Sequence, residues 1–287
     1  MMAANFAVEP LDASFGAKVT GLDIRQLSDT VFAELYDCWL EYGLLIFPGQ
    51  FLSNAEQSVF ARRFGELEFD TAPISNVTKD GSVRPDDNRD KVIQVLKGNM
   101  GWHCDSTYMP VQAKGAVFTA HVVPGAGGET GWADLRAGYE ALDADRRSQV
   151  ESLSAYHSLY HSQARAGYTE EEYGDYQGYG FFGQEPPLRP LVKTHPETGR
   201  KSLLIGRHAY GIPGMSAAES EQLLNELLEI TCQPPRIYHH QWSKGDAVVW
   251  DNRCLLHQAC PWNMNEPRIM YHTRLAGDQV SEFAASG

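Results

Sequence analysis

Residues 246–257 read DAVVWDNRCLLH, a short apolar segment with His257 a few positions beyond it. Two more short apolar segments, AVFTAHVV at 116–123 and KVIQVL at 91–96, stand between glycine, proline and polar residues. This pattern is typical of antiparallel strands, so we predict a sandwich or barrel core. The run LLIF at 44–47 is too short for a helix and predicts a further buried strand.

Helical spacing appears on both sides of these segments. Residues 29–43 place apolar side chains three and four positions apart and end in glycine, which predicts a helix. Asn54 and Gln57 predict a capping box at the start of a second helix. Ser216 and Glu219 predict another capping box, ahead of a late helix.

One more helix and one irregular stretch complete the outline. A helix is predicted over 137–153. The stretch 168–187, rich in tyrosine, glycine and acidic residues, predicts a loop that either closes over a substrate or packs its rings on the core. With no repeat or linker in the sequence, residues 1–287 are expected to form one domain, an α+β fold with a mainly β core.

Composition narrows the classes of partner. The 287 residues carry 24 lysines and arginines against 37 aspartates and glutamates, a net charge of −13 that opposes binding to nucleic acid or anionic membranes. No signal peptide or membrane-spanning run is evident, which predicts a cytoplasmic protein. Five scattered cysteines without a CxxC pair predict reduced thiols rather than disulfides or a structural zinc site.

The strongest chemical signal is GWHCDSTY at 101–108. His103 and Asp105 are two positions apart, so on an extended segment both side chains emerge on one face. His257 is the candidate third ligand, because a sheet could deliver it to the same point. Two histidines and one carboxylate suit non-haem Fe(II) and leave positions open for a bidentate oxo-acid and oxygen. An HxD pair alone also arises by chance among ordinary surface or core residues.

A second signal is PRIMYHTRLAGD near the end of the chain. Arg268, Met270, His272 and Arg274 share one parity and would face one side of a strand. Two guanidiniums and an imidazole facing inward require anions, such as a dicarboxylate cosubstrate or an acidic substrate. The alternative is a solvated edge strand with ordinary alternation of polar residues.

Together these segments resemble a known family. WHCDST, GGETGWADLRAGYEAL, GDAVVWDNRCLLH and PRIMYHTR resemble, in order and spacing, the taurine and 2,4-dichlorophenoxyacetate dioxygenase family of Fe(II)/2-oxoglutarate enzymes. LLIFPGQ, PISNVTKDG, GNMGWHCDSTYMPV and LRPLVKTHPETGRKSLLIGRHAYGIPGM are most similar to the family members that cleave phenoxypropionate herbicides. The resemblance implies a double-stranded β-helix, or jelly roll, flanked by helices.

The resemblance also assigns roles to particular residues. It implies His103, Asp105 and His257 as the iron ligands. For 2-oxoglutarate it implies Thr130 as hydroxyl donor and Arg268 as charge partner, with Trp250 either a wall of that pocket or a core residue. The taurine enzyme has a second arginine four residues after the first, where this chain has His272. The residues expected at the substrate are Arg274, His272, His208, Asn99 and Ser75.

The implied activity is oxygenation of a small acid. With Fe(II), 2-oxoglutarate and O2, the family hydroxylates its substrate and releases succinate and carbon dioxide. The expected substrate is a 2-aryloxyalkanoate cleaved to a phenol and a keto acid. The alternatives are the same chemistry on a sulfonate, an alkyl sulfate or a natural aromatic acid, a non-catalytic jelly-roll binding protein, or a zinc cupin. Fold-level precedent leaves a homo-oligomer open.

Overall fold

The computed structural model describes residues 6–167 and 185–284. The helices of these two ranges are α1 (Asp29–Tyr42), α2 (Asn54–Arg62), α3 (Lys91–Gly98), α4 (Leu135–Glu140), α5 (Ala144–Glu151), α6 (Leu159–Arg165) and α7 (Ala217–Thr231). Their strands are β1 (Ala7–Pro10), β2 (Ala17–Thr20), β3 (Leu44–Phe47), β4 (Ala72–Ser75), β5 (Gly115–Val122), β6 (Thr130–Asp134), β7 (Ser154–His157), β8 (Leu188–Pro190), β9 (Val192–Thr194), β10 (Lys201–Leu203), β11 (Ala209–Tyr210), β12 (Ile237–His240), β13 (Ala247–Asp251), β14 (Leu255–Ala259) and β15 (Ile269–Leu275). Over the same described ranges, no helix has the length and apolar character that crossing a membrane requires.

Two sheets share an apolar core. The larger has strand order β1-β2-β3-β13-β5-β15-β4, and the smaller has order β12-β6-β14. Trp132 of β6 and Leu255 of β14 lie in one buried cluster with Phe118 of β5, Val248 of β13 and Met270 of β15. The two sheets therefore pack face to face, and the fold is a mixed α and β structure with a mainly β core.

Helices α1 and α2 cover the other face of the larger sheet. Strand β3 is buried at every position. Leu45 and Phe47 contribute to a cluster with Trp39 of α1 and Phe60 of α2, whereas Ile46 points into the cluster between the sheets. The strand is apolar throughout because both of its faces are buried. The buried strand predicted here is confirmed.

One predicted strand is a helix. KVIQVL lies in α3, which begins after Asp90. The Asp90 carboxylate accepts hydrogen bonds from the backbone N–H groups of Val92 at 2.8 Å and Ile93 at 3.3 Å. Ile93 and Leu96, three positions apart, are buried. The strand prediction is wrong because a six-residue apolar run fits either structure, and the N-cap decides for the helix.

The start of α2 also differs from the prediction by one residue. Ser53 and Glu56 form its capping box, with Ser53 as the N-cap, rather than Asn54 and Gln57. Glu56 decides the position, because its carboxylate accepts a hydrogen bond from the backbone N–H of Ser53 at 2.8 Å while the Ser53 hydroxyl accepts one from the N–H of Glu56 at 3.3 Å. Of the loop predicted at 168–187, residues 168–184 lie outside the described part of the chain.

The helix predicted over 137–153 is two helices. Asp143 caps the second, accepting a hydrogen bond from the backbone N–H of Arg146 at 2.8 Å. An aspartate at this position competes for backbone N–H groups and starts a new helix rather than continuing the old one. The capping box of Ser216 and Glu219 at the start of α7 is confirmed.

His157, the last residue of β7, is a buried histidine whose two ring nitrogens have no hydrogen-bond partner. Burial, assisted by the charge of Arg189, lowers its pKa from 6.5 to about 3. The unfolded chain therefore takes up a proton that the folded chain excludes. The stability that this neutral imidazole confers is complete above about pH 6.5 and is lost as the pH falls towards the folded pKa.

We expect His157→Leu to be less sensitive to acid than the unaltered chain. Between pH 7 and pH 5, protonation of His157 in the unfolded state lowers the free energy of unfolding by about 2 kcal/mol. The leucine variant has no such proton to take up, so this loss should be absent from it. Urea unfolding at these two pH values measures the free energy of unfolding of both proteins. An identical loss of stability in both would contradict the assignment.

Candidate metal centre and active site

The three predicted metal ligands meet in the structure. His257 lies on β14. His103 lies in an irregular segment, directly after Trp102 and before the turn that begins at Asp105. His103 and His257 exchange both of their backbone hydrogen bonds, at 2.9 and 2.8 Å. One ligand atom each from His103, Asp105 and His257 lies within 4.8 Å of the others. The backbone pairing of the two histidines therefore brings residues distant in sequence to one point.

Both histidines are neutral and available as ligands. The Nδ1 atom of His103 lies 2.7 Å from the carbonyl oxygen of Gly101. Since a carbonyl can only accept, Nδ1 carries the proton and Nε2 keeps its lone pair. Burial lowers the pKa of His103 to about 4 and holds the pKa of His257 well below its ordinary value. Neutral imidazole is the form that binds a metal ion.

Asp105 is an ionised carboxylate inside the protein. Burial alone would raise its pKa, but the charge of Arg274 and a hydrogen bond from His272 hold the pKa well below the ordinary value. One carboxylate oxygen lies 3.1 Å from Nη2 of Arg274. The other lies 3.4 Å from Nε2 of His272 and 3.9 Å from Nε2 of His257. Two neutral imidazoles and one carboxylate are the donor set that fits Fe(II) with open positions.

A cavity of about 330 Å³ opens on this centre. One part of its wall is apolar and aromatic, and another part carries polar and charged groups. The apolar lining comprises Phe69, Ile74, Val95, Leu96, Phe118, Leu159, Trp250, Ala259 and Trp262. The polar lining comprises Asn99, His103, Asp105, Tyr108, Thr130, Gln163, His208, His257, Arg268, His272 and Arg274. A cavity of this size and mixed lining suits small organic acids.

Arg268 is a buried cation, 2% exposed, on the wall of the cavity. Its Nη2 donates to the carbonyl oxygen of Gly128 at 3.1 Å, and its Nε has no hydrogen-bond partner. Within the described ranges no close ion pair joins it to a carboxylate, although the charge of Glu129 acts on it from a greater distance, and its nearest aromatic ring is that of Trp262, 5.1 Å away. Burial lowers its pKa to about 10, so it stays charged at neutral pH. A buried guanidinium of this kind calls for an anion in the cavity.

Thr130 and Trp250 lie on the same cavity wall. Thr130, the first residue of β6, is buried, and its hydroxyl oxygen accepts a hydrogen bond from Nε1 of Trp242 at 2.9 Å. Its own hydroxyl proton can therefore be donated into the cavity. The ring of Trp250 lies 4.9 Å from that of His257 and stacks on that of His272 at 5.7 Å. Trp250 thus separates the core from the candidate metal centre.

Four of the five residues predicted at the substrate line the cavity, namely Arg274, His272, His208 and Asn99. His208 is buried and lies 2.9 Å from the hydroxyl of Ser162 through its Nδ1. Ser75 is the exception, because its hydroxyl accepts from the backbone N–H of Val77 at 2.9 Å and it does not reach the cavity. The prediction placed Ser75 by its segment alone, and the side chain serves a local turn instead.

Sequence reasoning missed several lining residues. Tyr108 lies in the same GWHCDSTY segment as the candidate ligands His103 and Asp105, so its position there was a usable signal. Burial raises its pKa to about 12, so it is a neutral hydroxyl. Gln163 of α6 and Trp262 come from segments with no chemical pattern, and the tertiary structure alone brings them to the cavity. The apolar walls likewise come from helices and strands far apart in sequence.

The sequence has curated relatives along almost its whole length. It is 60% identical over 284 residues to an (S)-phenoxypropionate/alpha-ketoglutarate-dioxygenase of Sphingobium herbicidovorans, covering 99% of each chain. It is 37% identical to an alpha-ketoglutarate-dependent 2,4-dichlorophenoxyacetate dioxygenase of Cupriavidus pinatubonensis, covering 94% of this chain and 98% of that one. These matches leave no large part of the chain unaccounted for.

A solved structure and a family match agree with the sequence relatives. The crystal structure of AAD-2 in complex with Mn(II) and N-oxalylglycine superposes with a TM-score of 0.88 at 35% identity, covering 98% of this chain and 99% of that one. Residues 7–274 match the family described as taurine catabolism dioxygenase TauD, TfdA family. A match of this extent, together with 60% identity to a member enzyme, means that the chain belongs to the taurine catabolism dioxygenase TauD, TfdA family.

Proposed function

We propose that this chain is an Fe(II)- and 2-oxoglutarate-dependent dioxygenase that cleaves a 2-aryloxyalkanoate to a phenol and a keto acid. The observation that carries the proposal is one cavity that joins a two-histidine, one-carboxylate centre to a buried guanidinium that forms no close ion pair with a carboxylate of the described residues. The 60% identity to an enzyme that acts on (S)-phenoxypropionate supports the substrate class.

His103, Asp105 and His257 are the residues that would hold the iron. Bound there, Fe(II) with 2-oxoglutarate and O2 supplies the oxygen atom and the oxidising power for hydroxylation of a C–H bond, with succinate and carbon dioxide as co-products. The protein keeps both imidazoles neutral by burial and keeps Asp105 ionised through Arg274 and His272. These protonation states are set by the fold before any ion binds.

Arg268 and Thr130 would bind the carboxylate of 2-oxoglutarate that lies away from the metal. A planar guanidinium can hold a carboxylate through two parallel hydrogen bonds, and the hydroxyl of Thr130 can add a third. Fixing this end of the molecule sets the position of the keto acid end. Trp250 forms the wall against which the bound cosubstrate would lie.

The remaining cavity wall provides for the aryloxy acid. Apolar side chains, among them Phe69, Ile74 and Leu159, would surround the aromatic ring. Arg274, with His272, His208 and Asn99 as further polar groups, would bind the acid group. Arg274 is already paired with Asp105, so the substrate carboxylate would share this guanidinium with a metal ligand.

The fate of the product follows from where the hydroxyl group is added. Hydroxylation of the carbon that carries the ether oxygen replaces a C–H bond with C–OH and gives a hemiketal. The bond from that carbon to the aryl oxygen then breaks, the hydroxyl oxygen becomes the ketone, and the aryl oxygen takes the proton. A 2-aryloxypropionate would therefore give a phenol and pyruvate.

The same proposal covers the fold in finer detail. We infer that residues 1–287 form one domain and that the two facing sheets are the two halves of a double-stranded β-helix. Antiparallel pairing of β13 with β5, β5 with β15, and β6 with β12 and β14 supports this. The TM-score of 0.88 to a related enzyme supports it further.

The test is an assay with separate enantiomers of a 2-aryloxypropionate. The protein is loaded with Fe(II) and 2-oxoglutarate without oxygen, oxygen is admitted, and succinate, phenol and pyruvate are measured. We expect all three products in equal amounts from at least one enantiomer. Succinate without phenol would keep the oxygenase chemistry and reject the substrate, whereas no succinate from a panel of carboxylates, sulfonates and alkyl sulfates would reject the enzyme.

We expect Arg274→Gln to raise the KM for the aryloxy acid by about tenfold or more, since a charged hydrogen bond to the substrate carboxylate is lost. The KM for 2-oxoglutarate should change far less. Because Arg274 also contacts Asp105, the Kd of Mn(II) is measured in parallel to separate the two roles. An unchanged substrate KM would remove Arg274 from the substrate site.

A further inference from the structure

We propose that two fully buried asparagines, Asn252 and Asn76, are positioning residues that hold Asp105 and Arg268. The inference rests on the proposed function, in which Asp105 binds the metal and Arg268 binds 2-oxoglutarate. Both asparagines are 0% exposed, and neither lines the cavity. Each reaches the backbone of its functional residue from a distant part of the sequence, and each uses its whole amide group to do so.

Asn252 lies in the turn between β13 and β14, where the chain passes from the larger sheet to the smaller. Its Oδ1 accepts a hydrogen bond from the backbone N–H of Asp105 at 2.8 Å. Its Nδ2 donates to the carbonyl oxygens of Asp105 and Ala113, both at 2.9 Å. The amide thus binds both backbone groups of the proposed ligand and links them to Ala113, two residues before β5 begins.

Asn76 repeats this arrangement at the other end of the cavity. It follows β4, and its Oδ1 accepts a hydrogen bond from the backbone N–H of Arg268 at 2.8 Å. Its Nδ2 donates to the carbonyl oxygens of Met264 and Glu266, both at 2.9 Å. The amide therefore fixes the turn that ends at Arg268 and the point from which its side chain leaves the backbone.

The chemistry of the contacts specifies asparagine at both positions. Each site offers one N–H donor and two carbonyl acceptors, so it needs one acceptor and two donors in return. A primary amide supplies this set in a single orientation, whereas the flipped amide would leave every contact mismatched. Aspartate lacks the donors, and serine has one donor in place of two.

Asp105 and Arg268 both lie outside the regular hydrogen bonding of the sheets, which explains why each is held by an asparagine. Asp105 lies beyond the backbone bridge between His103 and His257, and Arg268 lies one position before β15 begins. Neither residue therefore has the regular sheet hydrogen bonds that hold most of the core backbone. A buried amide side chain replaces these bonds at the two positions where a displacement would move a ligand or an anion partner.

The experiment compares Asn252→Ala and Asn76→Ala by two affinities, so that each variant is the control for the other. The Kd of Mn(II) is measured on the apoprotein by the electron paramagnetic resonance signal of free Mn(II). The Kd of 2-oxoglutarate is then measured by calorimetry on protein saturated with Mn(II). Neither measurement depends on turnover.

We expect a crossed result. Asn252→Ala should raise the Kd of Mn(II) by about tenfold or more, as is typical when an outer partner of a ligand is lost, with a smaller effect on 2-oxoglutarate. Asn76→Ala should raise the Kd of 2-oxoglutarate by about fivefold or more and leave the Kd of Mn(II) close to that of the unaltered chain. A purely structural role would weaken both affinities together in both variants.

The remaining outcomes are also decisive. Equal weakening of both affinities, or no weakening, would overturn the positioning roles while leaving the proposed function intact. Failure of the unaltered chain to bind Mn(II) and 2-oxoglutarate would overturn the proposed function, and this inference with it. Should an alanine variant not fold, Asn252→Ser and Asn76→Ser, which each keep a hydroxyl for one backbone partner, must show the same crossed pattern.

Discussion

The Asp105→Ala variant is expected to bind Mn(II) more than about a hundredfold more weakly than the unaltered chain, because losing even an outer partner of a metal ligand costs about 10–100-fold. Succinate formation should fall below detection. The variant also leaves the guanidinium of Arg274 and the imidazole of His272 without the carboxylate that they share, at 3.1 and 3.4 Å. Mn(II) titration and a succinate assay measure the two effects.

Asp246→Ala provides the matched control for Asp105→Ala. Asp246 is also buried and also pairs with a histidine, its carboxylate lying 3.1 Å from Nε2 of His240, but it does not line the cavity. Its loss should lower stability without changing the Kd of Mn(II). If Asp105→Ala bound Mn(II) as tightly as Asp246→Ala does, the proposed ligand set would be wrong.

The Arg268→Met variant is expected to combine a loss of affinity with a gain in stability. Truncating one partner of a buried charge pair costs about 2–5 kcal/mol, so the KM for 2-oxoglutarate should rise by about a hundredfold. In the absence of 2-oxoglutarate, however, no carboxylate of the described residues forms a close ion pair with Arg268, and the charge of Glu129 offsets only part of the cost of burying the guanidinium. Methionine removes this buried charge and fills similar space, so the apoprotein should become more stable by about 1 kcal/mol or more.

Arg189→Met is the control for the sign of this stability change. Arg189 is a buried guanidinium too, but it donates to the carbonyl oxygens of Thr107 and Met109, both at 2.6 Å, and to that of Glu282 at 3.2 Å. Removing it leaves these carbonyl oxygens without their hydrogen-bond donor, so the variant should be less stable. Urea unfolding of both apoproteins measures the contrast. A destabilised Arg268→Met would show that the charge is satisfied without 2-oxoglutarate.

The sequence could predict the parts of the fold that depend on local pattern. The buried strand at 44–47 and the capping box at Ser216 follow from neighbouring residues, and both are present. The six-residue run KVIQVL could not be assigned from its own pattern, because its period fits a strand and a helix alike. The break within 137–153 depended on an aspartate that caps a new helix, which a window of apolar residues does not register.

The sequence could predict those parts of the site whose polar residues lie close together in one short segment. The HxD spacing and the shared parity of Arg268, His272 and Arg274 place these side chains on one cavity. The direct contact between Arg274 and Asp105 had no such signal, because it joins two segments through the sheet. Ser75 lies in a segment that resembles the family, but its side chain accepts a hydrogen bond within its own turn and does not line the cavity.

The backbone bridge between His103 and His257 would give a metal ion bound at the proposed site a role in local stability. This bridge stands outside the regular ladders, so in the apoprotein its opening breaks two hydrogen bonds. An ion held by both imidazoles must be released before the same bridge can open. Metal binding should therefore act as a reversible cross-link, slowing hydrogen–deuterium exchange at the amides of residues 103 and 257 far more than in the outer strands.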